Sequence, residues 1–284
     1  MYLPQVILDC DNTFGLAGHD IDDGLALAHL LRMPTVDVLG VTLTYGNGTL
    51  AQVTQQTKLL WEAADLELPF YVGASSEVDV TSAAVRYLVK IVRQHPQEIT
   101  IVATGSLTNL AAAQQLWPGF LKQVKQLYIM GGAFGPMTMG QQVVDELNFS
   151  VNDTAVKTVL SAAERPIIVS GSYIHDFVTF WPDQPTNWLA EQIQNWQVYN
   201  EKQWQLAGFI NWDGMTATSL TQPDLFTWRD ETVELNATAL EKGLLIPKAT
   251  GTCQLKLVTG IQNPAALTAS LLADMHFLTA QAEG

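Results

Sequence analysis

Five carboxylates crowd into one short stretch near the start of this chain: Asp9, Asp11, Asp20, Asp22 and Asp23. Like charges cannot converge in a fold without a cation, a shared proton or bulk water between them. The apolar run Val6 to Leu8 just before them reads as a buried parallel strand, and Gly24 to Leu31 just after reads as a helix. In an open α/β sheet, ligands bind at the loops that leave the carboxyl ends of the strands. Oxygen donors gathered there favour calcium or magnesium over zinc. A solvated loop that merely caps the helix accounts for one aspartate, not five.

Composition narrows the partners. With 28 acidic against 14 basic residues the net charge is −14, which argues against nucleic acid or an anionic membrane surface, since both require clustered Lys and Arg. No run of 18 apolar residues occurs, and the start lacks a basic segment followed by an apolar one. Two cysteines, Cys10 and Cys253, make no disulfide framework. Together these predict a cytoplasmic protein. A hydrophobic content of 48% is ample for a core.

Further along, strands and helices alternate. Strands are predicted at 36–44, 70–73, 98–105, 126–132 and 166–170, with helices at 49–65, 81–94, 106–116 and 153–163. Residues 133–144, rich in Gly, Met and Gln without a period, read as a loop. Residues 184–220 read as mainly helical, followed by strands near 231–236 and 253–258 and a helix over 264–277. This alternation implies parallel pairing with right-handed crossovers. The expected fold is α/β, a single open, mainly parallel sheet flanked by helices, in one domain over residues 1–284.

Several stations along this pattern resemble the inosine-uridine-preferring nucleoside hydrolase family. That family opens with Asp-x-Asp-Pro-Gly-x-Asp-Asp; Asp9 and Asp11 match the first pair, Asp22 and Asp23 the second. Pro-Gly is absent here, and about seven extra residues separate the halves. The family's Gly-Asn turn is matched by Gly46-Asn47, and its Thr-Gly-Pro-Leu-Thr-Asn segment by Thr104 to Asn109. Met130-Gly131-Gly132 matches Met-Gly-Gly, Glu146-Leu147-Asn148 matches Glu-Phe-Asn, and Asp213 matches a late Asp before a helix. Each match alone is unspecific. In this order, over some three quarters of the chain, they are specific.

The resemblance implies hydrolysis of the N-glycosidic bond of ribonucleosides to free base and ribose, with a calcium-bound water as the attacking group. It implies calcium ligation by Asp11, Asp23, Asp213 and the Thr104 carbonyl, with Asp11 also taking the water's proton. Asp22, Asn47, Glu146 and Asn148 would bind the ribose hydroxyls. Asp9 would stand behind the ligands and orient them. Glu146 and Asn148, two apart, would point the same way on an extended segment. A homodimer or homotetramer, and a place in purine nucleoside salvage, are also implied.

Departures concern the leaving group. Many members carry a His just before the late Asp, where this chain has Trp212. A purine-preferring branch also has Trp there and stacks the base. The family's His-rich loop is shortened to Ser75–Val80. Among the remaining histidines, His19 falls in the insertion and His29 reads as structural. Two rival readings remain: a haloacid-dehalogenase-like, magnesium-dependent phosphatase with Asp9 as nucleophile, on the Asp9-Cys10-Asp11-Asn12-Thr13 motif, and a calcium-dependent binding module without catalysis.

Overall fold

The computed structural model describes residues 3–76 and 79–281, so residues 77 and 78 of the shortened Ser75–Val80 loop lie outside it. Its elements in chain order are β1 (Gln5–Cys10), α1 (Asp22–Arg32), β2 (Asp37–Leu43), α2 (Leu50–Ala63), β3 (Phe70–Val72), α3 (Ala83–Gln94) and β4 (Ile99–Ala103). Then follow α4 (Thr108–Leu116), β5 (Gln126–Met130), β6 (Met137–Met139), β7 (Gln142–Val144), α5 (Leu147–Ser150), α6 (Asp153–Ala162) and β8 (Ile167–Val169). Last come α7 (Trp188–Trp204), α8 (Trp212–Thr221), β9 (Phe226–Glu234), α9 (Ala237–Leu240), β10 (Ile246–Pro247), β11 (Cys253–Ile261) and α10 (Pro264–Ala280).

Nine strands form one sheet in the order β10-β9-β11-β8-β5-β4-β1-β2-β3. Pairings from β3 across to β11 are parallel, while β9 runs antiparallel to both β11 and β10. The sheet is therefore mainly parallel, as expected. Alternation along β1 divides its side chains between two cores: Ile7 packs with α3, α4 and α6, while Val6, Leu8 and Cys10 face α1, α2 and α10. The chain runs from β1 outward through β2 to β3, then returns to place β4 on the other side of β1. This reversal is the point at which open α/β sheets bind ligands.

Several segments differ from expectation, three of them in ways that tertiary contacts explain. Residues 133–144 contain a two-stranded hairpin, β6–β7, instead of a loop. Its anchor is tertiary: Gln142 Nε2 donates to the carbonyl of Gln203 at the end of α7, 3.0 Å away. β9 begins at Phe226 rather than 231 because it is the long partner of β11, paired through to Ile261. The helical block over 184–220 is broken between α7 and α8, where Gln205 is left-handed with φ 57°.

Candidate active site

Asp11 follows directly on β1 and Thr104 on β4, with the Thr104 N–H donating to the Asp9 carbonyl at 2.8 Å. Asp11 is buried, and its Oδ2 accepts the backbone N–H of Asn47 at 2.5 Å. Glycines make that approach feasible. A methyl group on Gly46 would collide with Asp11 Oδ2, and one on Gly105 would lie 2.9 Å from Oδ1. Burial pushes the Asp11 carboxyl up to about 7, against the opposing effect of the Asn47 N–H. The turn delivering Asn47 passes straight into α2, which Thr49 and Gln52 close with a capping box.

Asp22 and Asp23 occupy the first turn of α1, whose N-cap, Ile21, supplies no side-chain acceptor. The free N–H groups and dipole of that turn favour carboxylates. Asp22 Oδ2 accepts the N–H of Asp213, at the start of α8, at 3.3 Å. Asp23 Oδ1 accepts Thr104 Oγ1 at 2.6 Å. Burial, then neighbouring carboxylates, push Asp22, Asp23 and Asp213 well above the ordinary range. Among the described residues, none of the ion pairs involves any of them.

A divalent cation suits this donor set. Its oxygen ligands are hard, and its buried like charges require neutralising by protons or a metal. As the side chains lie, no three His, Cys, Asp or Glu among the described residues are spaced to hold an ion. The hydrogen bonds they accept come from other groups: the Asn47 N–H on Asp11, the Asp213 N–H on Asp22 and the Thr104 hydroxyl on Asp23.

A cavity of about 140 Å³ opens over the cluster. Its lining combines the polar Asp11, Asp20, Asp22, Asn47, Thr104 and Asp213 with the apolar Met130, Met137, Met139, Val144, Leu147 and Trp212. Asp23 is not part of the lining and lies deeper, on Thr104. Sequence motifs assign no role to Asp20 or to the hairpin methionines. The only sequence signal for the latter is the alternation Met137-Thr138-Met139.

Glu146 and Asn148 also line the cavity, but not on an extended segment as expected. Glu146 is the N-cap of α5, its carboxylate accepting the N–H groups of Asn148 (3.1 Å) and Phe149 (2.8 Å). Burial raises it to about 7. Asn148 sits in α5 and spends its amide N–H groups on the carbonyls of Thr104 (2.7 Å) and Met130 (3.1 Å). The Thr104 carbonyl thus faces Asn148, with its second lone pair unspent. Trp212 opens α8 and packs beside Gly171.

Asp9 lies behind the site. It is fully buried, with Oδ1 accepting from Thr42 Oγ1 (2.6 Å) and Asn109 Nδ2 (2.8 Å), and burial raises it to about 6. His29 is buried in a separate network: Nδ1 contacts Asp274 at 2.9 Å and Nε2 contacts Thr221 at 2.6 Å.

Known proteins decide the class. The family model for inosine-uridine preferring nucleoside hydrolase matches residues 6–268. The chain belongs to this family. It is a nucleoside hydrolase, acting on the N-glycosidic bond of ribonucleosides, and the family is metal-dependent. This nucleoside hydrolase is 23% identical over 269 residues to the pyrimidine-specific ribonucleoside hydrolase RihB of Escherichia coli (strain SE11), covering 82% of this chain and 83% of that one. Its fold matches a purine-preferring ribonucleoside hydrolase from Gardnerella vaginalis with a TM-score of 0.81 at 19% identity, covering 97% and 99% of the two chains. A plant nucleoside hydrolase matches with a TM-score of 0.80 at 22% identity, covering 96% and 98%. The phosphatase reading falls with the family match, and Asp9, its nucleophile, has no exposed surface from which to attack. The binding-module reading falls likewise.

Proposed function

We propose that this nucleoside hydrolase uses calcium, takes Asp11 as its general base, and prefers purine ribonucleosides. One observation carries the reading: a single cavity is lined both by buried carboxylates and by Trp212 with methionines. Such a mixed lining suits a polyhydroxylated sugar joined to a flat heterocycle.

Asp11, Asp23, Asp213 and the Thr104 carbonyl would hold the ion, and calcium, when bound, would supply Lewis acidity toward water and a grip on ribose hydroxyls. Asp11 would accept the proton of the attacking water, a task suited to a carboxylate that touches both ion and water. Negative charge around it supports the oxocarbenium character of the sugar as the base departs. Asp22, Asn47, Glu146 and Asn148 bind the ribose hydroxyls. Because Glu146 and Asn148 are already engaged with α5 and Thr104, they contribute through the lone pairs those contacts leave free. Asp9 holds Asn109 and Thr42 behind the site.

Trp212 offers a ring to the leaving base, and a purine presents more area to it than a pyrimidine. Relatives divide on this point by their names, RihB being pyrimidine-specific and the Gardnerella protein purine-preferring. The reading includes one domain, a homodimer or homotetramer, checked by light scattering, and a cytoplasmic location, suited to the buried free thiols Cys10 and Cys253. Among the described residues no helix is long and apolar enough to cross a membrane. Chelator-treated protein titrated with calcium or magnesium, assayed by ribose release from inosine and uridine, tests the reading. Equal rescue by magnesium overturns the choice of ion, and faster release from uridine overturns the base preference.

A further inference from the structure

The insertion between Asp11 and Asp22 is built as part of the site. Phe14 is fully buried and its ring lies 6.0 Å from that of Trp188 on α7. Gly15 has φ +88°, and a Cβ there would lie 2.8 Å from the Trp188 ring. Two successive backbone turns, Leu16 N–H to the Thr13 carbonyl and His19 N–H to the Leu16 carbonyl, then aim His19 back toward the turn after β2.

His19 Nδ1 lies 3.3 Å from Asn47 Oδ1, and Asn47 Nδ2 donates to Thr13 Oγ1 at 2.9 Å. Thr13 Oγ1 in turn donates to the Asp20 carbonyl at 3.0 Å. Donor accounting sets the direction of this chain. The single hydroxyl proton of Thr13 goes to Asp20, so Thr13 receives the Asn47 N–H, and Asn47 Oδ1 is left to accept from His19 Nδ1–H. Both ends of the Asn47 amide are thereby held by the insertion. The same residue's backbone N–H is the donor on Asp11 Oδ2.

We propose that His19 is a positioning residue of the hydrolase, fixing Asn47 and through it the orientation of the Asp11 carboxylate. The inference rests on the roles of Asp11 and Asn47 given above. His19 does not line the main cavity. It borders a second one between the insertion and α7, with Trp196 and Tyr199. It therefore acts through Asn47 and not on the departing base.

Two substrates separate positioning from proton donation. Inosine needs its base protonated on departure, whereas p-nitrophenyl riboside releases a phenolate that leaves unaided. His19→Ala should lower kcat on both substrates alike, by roughly tenfold to a hundredfold, the scale of a misplaced catalytic group. His19→Gln, which keeps a donor toward Asn47, should recover most of the loss on both. Retained activity on p-nitrophenyl riboside with a loss confined to inosine would overturn the inference in favour of His19 as leaving-group acid. Asn47→Ala serves as the control. If it impairs kcat while His19→Ala stays within twofold of wild type and changes only Tm, this inference fails alone. If Asn47→Ala is harmless, the reading of Asn47 beneath it fails and carries the inference with it.

Discussion

The backbone N–H of Asp213 donates to Asp22 Oδ2 at 3.3 Å, so the first turn of α8 is tied to the first turn of α1. Two helix N-termini thus converge on one group of carboxylates. Their partial positive ends offset some of the repulsion that no Lys or Arg relieves, and a metal would relieve the rest.

Asp11→Asn should abolish nucleoside hydrolysis and leave the fold intact. The change removes the proposed base and one anionic ligand, so kcat should fall by more than the roughly 10²–10⁴-fold of general base catalysis alone. Asparagine still accepts the Asn47 N–H through its amide oxygen, and Tm should hold or rise as one like charge leaves the cluster. Ribose release and a melting curve check this; activity within tenfold of wild type rules out the role.

Calcium should stabilise the protein more at pH 8 than at pH 5. In the metal-free protein, burial raises Asp11 and Glu146 to about 7, above their ordinary values of 3.8 and 4.5. Folded-state protons on these groups contribute stability that is fully present below the unfolded values and lost as pH rises through about 7. A cation displaces the protons that the cluster holds, and does so most readily where proton activity is low. Melting curves with calcium and with chelator at both pH values check this. An equal or larger calcium shift at pH 5 contradicts it.

Trp212→Ala should lower kcat/KM for inosine or adenosine more than for uridine. Aromatic pairs contribute about 0.5–1.5 kcal/mol beyond the burial of area, which converts to roughly two- to thirteenfold in kcat/KM. The comparison is made with calcium saturating and Tm recorded. Equal losses on both substrates would mean that Trp212 only packs the start of α8.

His29→Leu should destabilise the fold by about 1–3 kcal/mol, the usual cost of stranding buried polar partners. His29 joins Asp274 of α10 to Thr221 of α8, and Arg32 Nε holds Asp274 at 2.7 Å from α1. Denaturant unfolding measures the loss. A variant as stable as wild type would show that Arg32 alone satisfies Asp274.

Much of this site can be read from residues in order. Asp11, Asp22 and Asp213 line one cavity because strand ends and helix starts, which local pattern reveals, set the backbone from which they project. Asp23 lies deeper because its neighbour on the helix, roughly 100° away, already faces the cavity. Local pattern fails where tertiary contacts decide. β6–β7 consists of three-residue strands whose tip rests on α7, and nothing within 133–144 announces α7. Asn148 reads as extended until Glu146 turns its carboxylate onto the following N–H groups and starts a helix. Nor can spacing alone reveal that the Asn47 amide is already occupied by Thr13 and His19.

Helix α8, which carries Asp213, is packed against α1 and touches α10. Protein synthesis runs in the other direction of need: the acidic loop leaves the ribosome first, and the carboxylate that completes it arrives near the end. The cavity that Asp11, Asp22 and Asp213 line together is therefore complete only once α8 has docked on α1.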